Sequence, residues 1–171
     1  MRIAITGKPG TGKTTLCERL FRMIKDDTDC DGFITKEKRE HGRRVGFIFH
    51  ELRSGEECWL SHVRNQSSIR VGKYGVYLEN VDRMAEKLLE YRKREFVIID
   101  EIGPMELKSV NFVRSVEKLM EGHNNLIFTI HLKSNHWLLQ RIRNEFEVLI
   151  IDERNRDEMA YRLAERILKR R

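Results

Sequence analysis

The sequence has few cysteines and no long apolar run, the features that mark disulfide-bonded secreted proteins, zinc-binding domains and membrane-spanning proteins. Its 171 residues include three cysteines, Cys17, Cys30 and Cys58, whose odd number and spacing fit neither a disulfide framework nor a zinc site. No apolar run approaches the ~20 residues that a membrane-spanning helix needs. The first predicted strand begins at residue 2, so we expect no cleaved signal sequence. These absences predict a cytoplasmic protein in a reducing compartment, without a membrane partner.

Proline and linker segments are equally scarce. The chain has two prolines, and no Gly/Ser-rich stretch, repeat or low-complexity tract divides it. Hydrophobic residues make up 40% of the sequence, which argues against a disordered chain. A chain of this length can bury a substantial core. We therefore predict one domain that spans residues 1–171.

The charge balance is basic, with 33 Lys and Arg against 27 Asp and Glu and a net charge of +6. Such a balance permits contact with nucleic acid, and it also attracts nucleotide polyphosphates. Because the two signs are interleaved along most of the chain, a mixed solvated surface is the favoured interpretation. We do not expect nucleic acid to be a partner, and a monomer is the favoured state.

What the sequence does contain is a glycine-rich loop near its start. Residues 7–15 read GKPGTGKTT, the phosphate-binding pattern Gly-x-x-x-x-Gly-Lys-Thr, between an apolar run and a helix-compatible segment. Backbone N–H groups of such a loop surround a polyphosphate, and the dipole of the following helix adds positive potential. We expect Lys13 to act on the outer phosphates and Thr14 to ligate Mg²⁺. The predicted nucleotide-binding residues of the loop are Gly7, Lys8, Pro9, Gly10, Thr11, Gly12, Lys13, Thr14 and Thr15.

A pair of acids forms the second half of the predicted site. Asp100 and Glu101 directly follow the continuous apolar run at residues 96–99, which is typical of a strand covered on both faces. Acids at the carboxyl end of such a strand lie where α/β sheets bind ligands. We predict that Asp100 holds Mg²⁺ and that Glu101 activates the attacking water. The predicted nucleotide-binding segment continues through Ile102 and Gly103.

The order of the remaining segments predicts an α/β fold with a mostly parallel sheet and helices on both faces. A strand at Arg2–Thr6 and a helix from residue 13 to about 25 come first. A hairpin-rich antiparallel insert follows at about 32–62, with strands at 30–35 and 45–50 around a charged turn at 36–44. Helix–strand units then alternate, beginning with a helix capped by Asp82 and ending with a helix from residue 156 to 168.

One strand after the acid pair has a further predicted role. The run at residues 126–131 is typical of ATPases that place an extra strand between the loop strand and the acid strand. A polar residue at the tip of that strand senses the terminal phosphate, and Thr129 or His131 would do so here. A structural role for either residue is an equal alternative.

Several other residues have two interpretations each. Arg39 and Arg44 either reach the phosphates or keep a surface hairpin solvated. The glycine-bounded residues Lys73 and Tyr74 form either a nucleotide-facing loop or a plain turn. Arg156 is predicted to stack on the nucleotide base, which would recognise the face of any base and so permit broad specificity.

Taken together, these segments resemble a known family, the thermophile nucleoside-triphosphatases whose human relative is called cancer-related nucleoside triphosphatase. The resemblance covers nearly the whole chain. It includes the loop at 7–15, GFITKEKR at 32–39, GRRVGF at 42–47, VGKYGVYLE at 71–79, DEIGPMEL at 100–107 and NRD at 155–157. The segments outside the loop make it specific, because they have no place in a general phosphate-loop pattern.

The resemblance implies a RecA-like P-loop core and Mg²⁺-dependent hydrolysis of nucleoside triphosphates to diphosphate and phosphate. It also implies little preference among ATP, GTP, CTP and UTP or TTP, slow turnover and weaker action on diphosphates. Two alternatives stay open at this point. The chain could be a small-molecule or nucleoside kinase with the insert as a lid, or a nucleotide-gated RNA- or protein-binding module.

Overall fold

The computed structural model describes residues 1–169, and one nine-stranded sheet runs through them. The strands are β1 (Arg2–Thr6), β2 (Cys30–Glu40), β3 (Arg43–Glu51), β4 (Glu57–His62), β5 (Arg70–Val71), β6 (Tyr74–Val76), β7 (Phe96–Ile102), β8 (Asn125–Ile130) and β9 (Glu147–Ile150). The helices are α1 (Lys13–Ile24), α2 (Leu78–Tyr91), α3 (Val110–Met120), α4 (Trp137–Glu145) and α5 (Arg156–Leu168), with a 3₁₀ turn at Glu106–Lys108. The strand order is β5-β6-β4-β3-β2-β7-β8-β1-β9.

The parallel part of the sheet consists of β2, β7, β8, β1 and β9. One face is covered by the apolar sides of α2, α3 and α4, and the other by those of α1 and α5. Strand β8 lies between the loop strand β1 and the acid strand β7, as the segment order predicted. The α/β fold class, with helices on both faces and an antiparallel insert, is confirmed.

The insert differs from its prediction in length and in detail. It extends beyond residue 62, because β6 pairs with β4 and β5 pairs with β6. The predicted charged turn at 36–44 is wrong, since β2 and β3 stay paired almost to the tip. Only His41 and Gly42 turn, with φ angles of 49° and 75°. Charged side chains are compatible with strands here because the tip of this ribbon is exposed to solvent.

The predicted start of α2 at Asp82 is also wrong. The helix begins at Leu78, after Tyr77, so Asp82 lies one turn inside it. Its carboxylate accepts a hydrogen bond from the Ser109 hydroxyl, which also caps α3. Asp82 therefore ties two adjacent helices together.

The end of the predicted domain, Arg170 and Arg171, lies outside the described residues. Within residues 1–169, no helix combines the length and apolar character needed to cross a membrane.

Candidate active site

The glycine-rich loop connects β1 to α1 at the carboxyl edge of the parallel strands. Gly10 and Gly12 have φ angles of 79° and 95°, a region that L side chains rarely adopt. At Gly7 the constraint is space, since a Cβ atom would lie 2.5 Å from the Ile151 carbonyl oxygen. The loop therefore uses glycine both to turn and to pack against the segment after β9.

Lys13 folds back over this loop. Its Nζ donates to the carbonyl oxygens of Gly7 and Lys8 at 3.2 and 3.3 Å. Thr11 closes the loop from inside, because its hydroxyl donates to the Lys8 carbonyl at 2.8 Å. An ammonium group held in this way adds positive charge where the loop can surround an anion.

Asp100, in the C-terminal half of β7, is fully buried and accepts hydrogen bonds from three threonines. The hydroxyls of Thr14 and Thr129 each donate to one carboxylate oxygen at 2.6 Å. The Thr35 N–H donates to the carboxylate at 3.4 Å, and its hydroxyl donates to the Asp100 carbonyl. Burial raises the pKa of the Asp100 carboxyl, while these donors and the charge of Lys13 lower it. The donors stabilise the charged carboxylate in its buried position.

Glu101 and Glu106 add two more carboxyl groups beside Asp100. Burial and, to a smaller extent, the charge of Asp100 raise the pKa of Glu101 to about 7, and the charge of Lys13 partly opposes this rise. Burial and, to a smaller extent, the charge of Glu101 raise the pKa of Glu106 to about 8. The Gly103 N–H donates to Glu106 at 3.1 Å, which fixes the turn that follows β7. A carboxyl group that titrates near neutral pH is suited to accept a proton.

The donor set beside the loop fits Mg²⁺. The Thr14 hydroxyl and the Asp100 carboxylate offer hard oxygen ligands that already lie within hydrogen-bond distance of each other. A divalent cation would also compensate a carboxylate that is otherwise fully buried. Among residues 1–169, no cluster of three or more His, Cys, Asp or Glu side chains could hold a metal ion. A site of one carboxylate and one hydroxyl, completed by substrate phosphates and water, is the type that Mg²⁺ uses.

An open cavity of about 750 Å³ joins these groups. Its walls include most of the predicted residues, namely Pro9, Gly10, Gly12, Lys13, Thr14, Thr15, Asp100 and Glu101. His131, directly after β8, also lines it. Thr129, the other sensor candidate, is fully buried and bonded to Asp100 instead.

The other predicted residues lie close to the cavity without lining it. Ile102 is fully buried in the apolar core, and the Gly103 N–H donates a hydrogen bond to Glu106. Both residues therefore hold Asp100 and Glu101 in place without facing the cavity. Arg156, at the start of α5, donates to the Thr11 carbonyl at 3.3 Å and lies against Gly12. It therefore braces the loop from the β9 side of the sheet.

Sequence reasoning missed the contributions of β2 and of the turn after β7. Thr35, Lys36 and Glu37 line the cavity, and so does Glu106. Thr35 and Glu106 both fall in segments that carry the family resemblance, which was the only available signal. Their contact with the site depends on β2 lying beside β7, and the sequence pattern does not specify that neighbour.

The comparison with known proteins agrees with this geometry. A family model described as NTPase matches residues 2–167. The chain belongs to the NTPase family. Nucleoside-triphosphatase THEP1 of Archaeoglobus fulgidus is 52% identical over 160 residues, which cover 94% of each chain. The protein of the same name from Methanosarcina acetivorans is 39% identical over 99% of this chain and 98% of its own.

Two solved structures of NTPase relatives have the same fold. The crystal structure of THEP1 from the hyperthermophile Aquifex aeolicus has a TM-score of 0.80 at 31% identity, covering 95% of this chain and 96% of its own. The solution structure of a human cancer-related nucleoside triphosphatase has a TM-score of 0.81 at 30% identity, covering 99% and 98%. The resemblance that the sequence motifs indicated is confirmed, and with it the prediction of an enzyme of the NTPase class.

Proposed function

We propose that the chain hydrolyses nucleoside triphosphates to diphosphate and phosphate in this cavity, with Mg²⁺ and with little selectivity for the base. The observation that carries the proposal is the 2.6 Å hydrogen bond between Thr14 and Asp100. It joins the phosphate-binding loop to the acid strand, two segments that lie far apart in the sequence. Glu101, next to Asp100, lines the same cavity as the loop residues, which supports its proposed role beside the terminal phosphate.

Each residue has a defined part in the reaction. The loop amides and Lys13 bind and orient the phosphates, and they offset the negative charge of the transition state. Glu101 accepts a proton as a water oxygen attacks the terminal phosphorus and the bond to the bridging oxygen of the diphosphate breaks. Mg²⁺, held by Thr14 and Asp100, would supply additional charge neutralisation on the phosphate oxygens. His131 contacts the terminal phosphate from the tip of β8.

Arg156 is proposed to contact the nucleotide base, because it contacts the loop at Thr11 and follows β9, which flanks β1 on the side away from the acid strand β7. Contact through the face of a base would act similarly on all four nucleotides. Arg156→Ala should raise KM for ATP, GTP, CTP and UTP by similar factors. A change confined to one nucleotide would contradict this assignment.

Replacing Glu101 tests the central claim. Glu101→Gln should lower phosphate release by ~10²–10⁴-fold, since the amide cannot accept the proton. Binding of ATP should persist, because the loop and Asp100 are unchanged. The matched control is Glu86→Gln, at an exposed position on α2. Normal turnover in Glu101→Gln would show that another group activates the water.

Phosphate release should be measured with each of the four triphosphates, with Mg²⁺ and with a chelator. We expect release from all four in the absence of any acceptor, and its loss in the chelator. Transfer of labelled phosphate to an added nucleoside, giving a labelled nucleotide in place of free phosphate, would favour the kinase alternative instead.

A further inference from the structure

The cavity extends beyond the part that a triphosphate tail would use. Its part contributed by the insert, which we call the insert pocket, is lined by Arg44, Phe47, Leu60 and Val71, and Met105 lines the same cavity. Apart from Arg44, these side chains are apolar. Phosphate groups gain nothing from an apolar wall, because burial there removes water without supplying hydrogen bonds. The insert pocket therefore has the chemistry of a site for another molecule or another part of a molecule.

The strand order shows on which side of the phosphates this pocket lies. The loop follows β1, and the sheet continues from β1 through β8 and β7 to β2, β3 and β4. The residues of the insert pocket come from β3, β4 and β5, beyond the acid strand. Arg156, proposed to contact the base, lies on the other side with α5. A nucleotide gripped by the loop would thus point its terminal phosphate toward the insert pocket and its base away from it.

The charges of the insert add a positive group to the apolar wall. Glu37 accepts hydrogen bonds from both Arg39 and Arg44, so two guanidinium groups share one carboxylate. The Arg44 Nε donates to the Tyr74 hydroxyl at 2.8 Å, and its guanidinium lies over the rings of Phe47 and Tyr74. These contacts fix the orientation of Arg44. Its Nη2 makes no hydrogen bond among those found for residues 1–169.

The surrounding charges do not cancel this excess. Lys36 faces the cavity and is 3.6 Å from Glu18, which also pairs with Arg22. Lys73 extends over the Tyr74 ring at 5.6 Å and adds positive charge at this end. The acids Glu101 and Glu106, from β7 and from the turn that follows it, line the cavity too, whereas Arg44 comes from β3. An anionic group that enters the insert pocket would meet a fixed, incompletely neutralised arginine.

We propose that the insert pocket binds a second small molecule, one with a flat apolar ring and a single carboxylate or phosphate group, at the same time as the nucleoside triphosphate. The ring packs against Phe47 and Val71, and the anion accepts hydrogen bonds from Arg44. The occupant lies beyond the terminal phosphate, on the side of Glu101, and so restricts the access of water. The inference rests on the proposed function for the position of the terminal phosphate and for the direction of the base, which the proposed contact with Arg156 sets.

The first experiment measures binding of 2-naphthoate, which has a flat apolar ring and one carboxylate. It is titrated by calorimetry into the free protein and into protein saturated with Mg²⁺ and a β,γ-imido analogue of ATP. We expect saturable 1:1 binding in both cases, with Kd values that agree within about threefold. Loss of binding in the presence of the analogue would overturn the proposal, since the two ligands would then share one site. Absence of saturable binding to either form would overturn it as well.

Variants locate the site. Arg44→Gln should weaken naphthoate binding at least ~10-fold through loss of a charged hydrogen bond. Val71→Asp should have an effect of similar size by placing a charge in the apolar wall. The matched controls are Arg64→Gln, an exposed arginine paired with Glu40, and Val110→Asp, a 63% exposed valine on α3. Each variant is first shown to bind the ATP analogue normally, and unchanged naphthoate affinity in both pocket variants would contradict the assignment.

The last readout is kinetic. Naphthoate should lower kcat for phosphate release from ATP while KM stays constant, because it binds beside the phosphate and not in place of the nucleotide. A rise in KM at constant kcat would contradict the proposal. A protein that binds naphthoate as expected but releases no phosphate would refute the proposed function and leave the second site standing.

Discussion

At the scale of single residues, the buried carboxylate of Asp100 depends on its hydroxyl donors. Thr129→Val keeps the shape of the side chain and removes one of them, leaving a charged oxygen unsatisfied in a fully buried place. We expect a loss of about 1–3 kcal/mol in the free energy of unfolding. The pKa of Asp100 should rise further, since the Thr129 bond lowers it. Denaturant unfolding and phosphate release should both report the change.

The matched control is Thr28→Val. Thr28 is also buried, but its hydroxyl donates to the neutral Ile24 carbonyl, remote from the cavity. It should cost about 1 kcal/mol and leave phosphate release unchanged. Equal effects of the two substitutions on turnover would argue against a special role for the Asp100 contact.

Glu106 gives the molecule a pH dependence whose sign can be stated. Its pKa is about 8 in the folded chain against 4.5 for an ordinary glutamate, so the folded state binds more protons between these values. Stability therefore falls as pH rises, by up to ~1.4 kcal/mol per pH unit from this group. In nucleotide-free protein, Glu106→Gln should remove this contribution to the fall of the unfolding free energy with pH. The stability gain of the variant over wild type should therefore be largest at pH 8. Identical slopes for both proteins from pH 5 to 8, measured by denaturant unfolding, would refute this account.

The acids of the site could be predicted at this scale, but their partners could not. Asp100 and Glu101 follow an apolar run and occur with a glycine-rich loop, so local pattern was sufficient. The hydrogen bonds from Thr35 and Thr129 depend on which strands flank β7. Single-residue chemistry does not encode that order. The extra strand was predicted correctly, but the sequence did not show whether Thr129 or His131 faces the cavity.

At the scale of elements, the junction between the insert and the parallel sheet rests on Gly32 in β2. Its φ angle is 146°, and a Cβ atom there would lie 1.8 Å from the Ile98 carbonyl oxygen of β7. Gly32→Ala should therefore separate β2 from β7 and destabilise the chain by more than ~4 kcal/mol. Thermal unfolding and the yield of folded protein should both show the effect.

Gly55→Ala is the control for backbone conformation alone. Gly55 has a φ angle of 72°, and a Cβ atom added there would have no neighbour within 4 Å. Its substitution should cost about 1–2 kcal/mol, from left-handed strain without a clash. If both alanine variants lost the same stability, close approach of β7 would not be the reason for glycine at position 32.

Helices and strands whose apolar residues recur at a regular spacing could be predicted from the sequence. Elements that are stabilised by ion pairs or by neighbouring strands could not. Helix α5 was predicted with its observed bounds, and its buried residues recur at helical spacing. The tips of β2 and β3 lack that signal, since their cohesion comes from cross-strand ion pairs such as Arg44 with Glu37. The first turn of α2 was missed because Leu78, Glu79 and Asn80 precede the apolar stripe that identified the helix.

At the scale of the whole molecule, the insert and the parallel half share one core. Phe33 of β2 pairs in register with Ile99 of β7 on one side and Glu51 of β3 on the other. Its ring centroid lies 5.2 Å from that of Phe49 in the insert and 6.2 Å from that of Phe112 in α3. One apolar cluster thus contains side chains of both halves. We propose on this basis that residues 1–171 fold as a single domain.

The two tryptophans can test this directly, because one lies in each half. Trp59 belongs to β4 of the insert, and Trp137 begins α4 beside the parallel strands. Trp137→Phe and Trp59→Phe each leave one reporter, so fluorescence follows the two halves separately. If the shared core makes unfolding cooperative, both reporters should give one transition with midpoints that agree within ~2 °C, after correction for each variant's calorimetric Tm. An insert that melted first would show an earlier Trp59 signal while Trp137 stayed native, because the contacts through Phe33 would then be too weak to couple the halves.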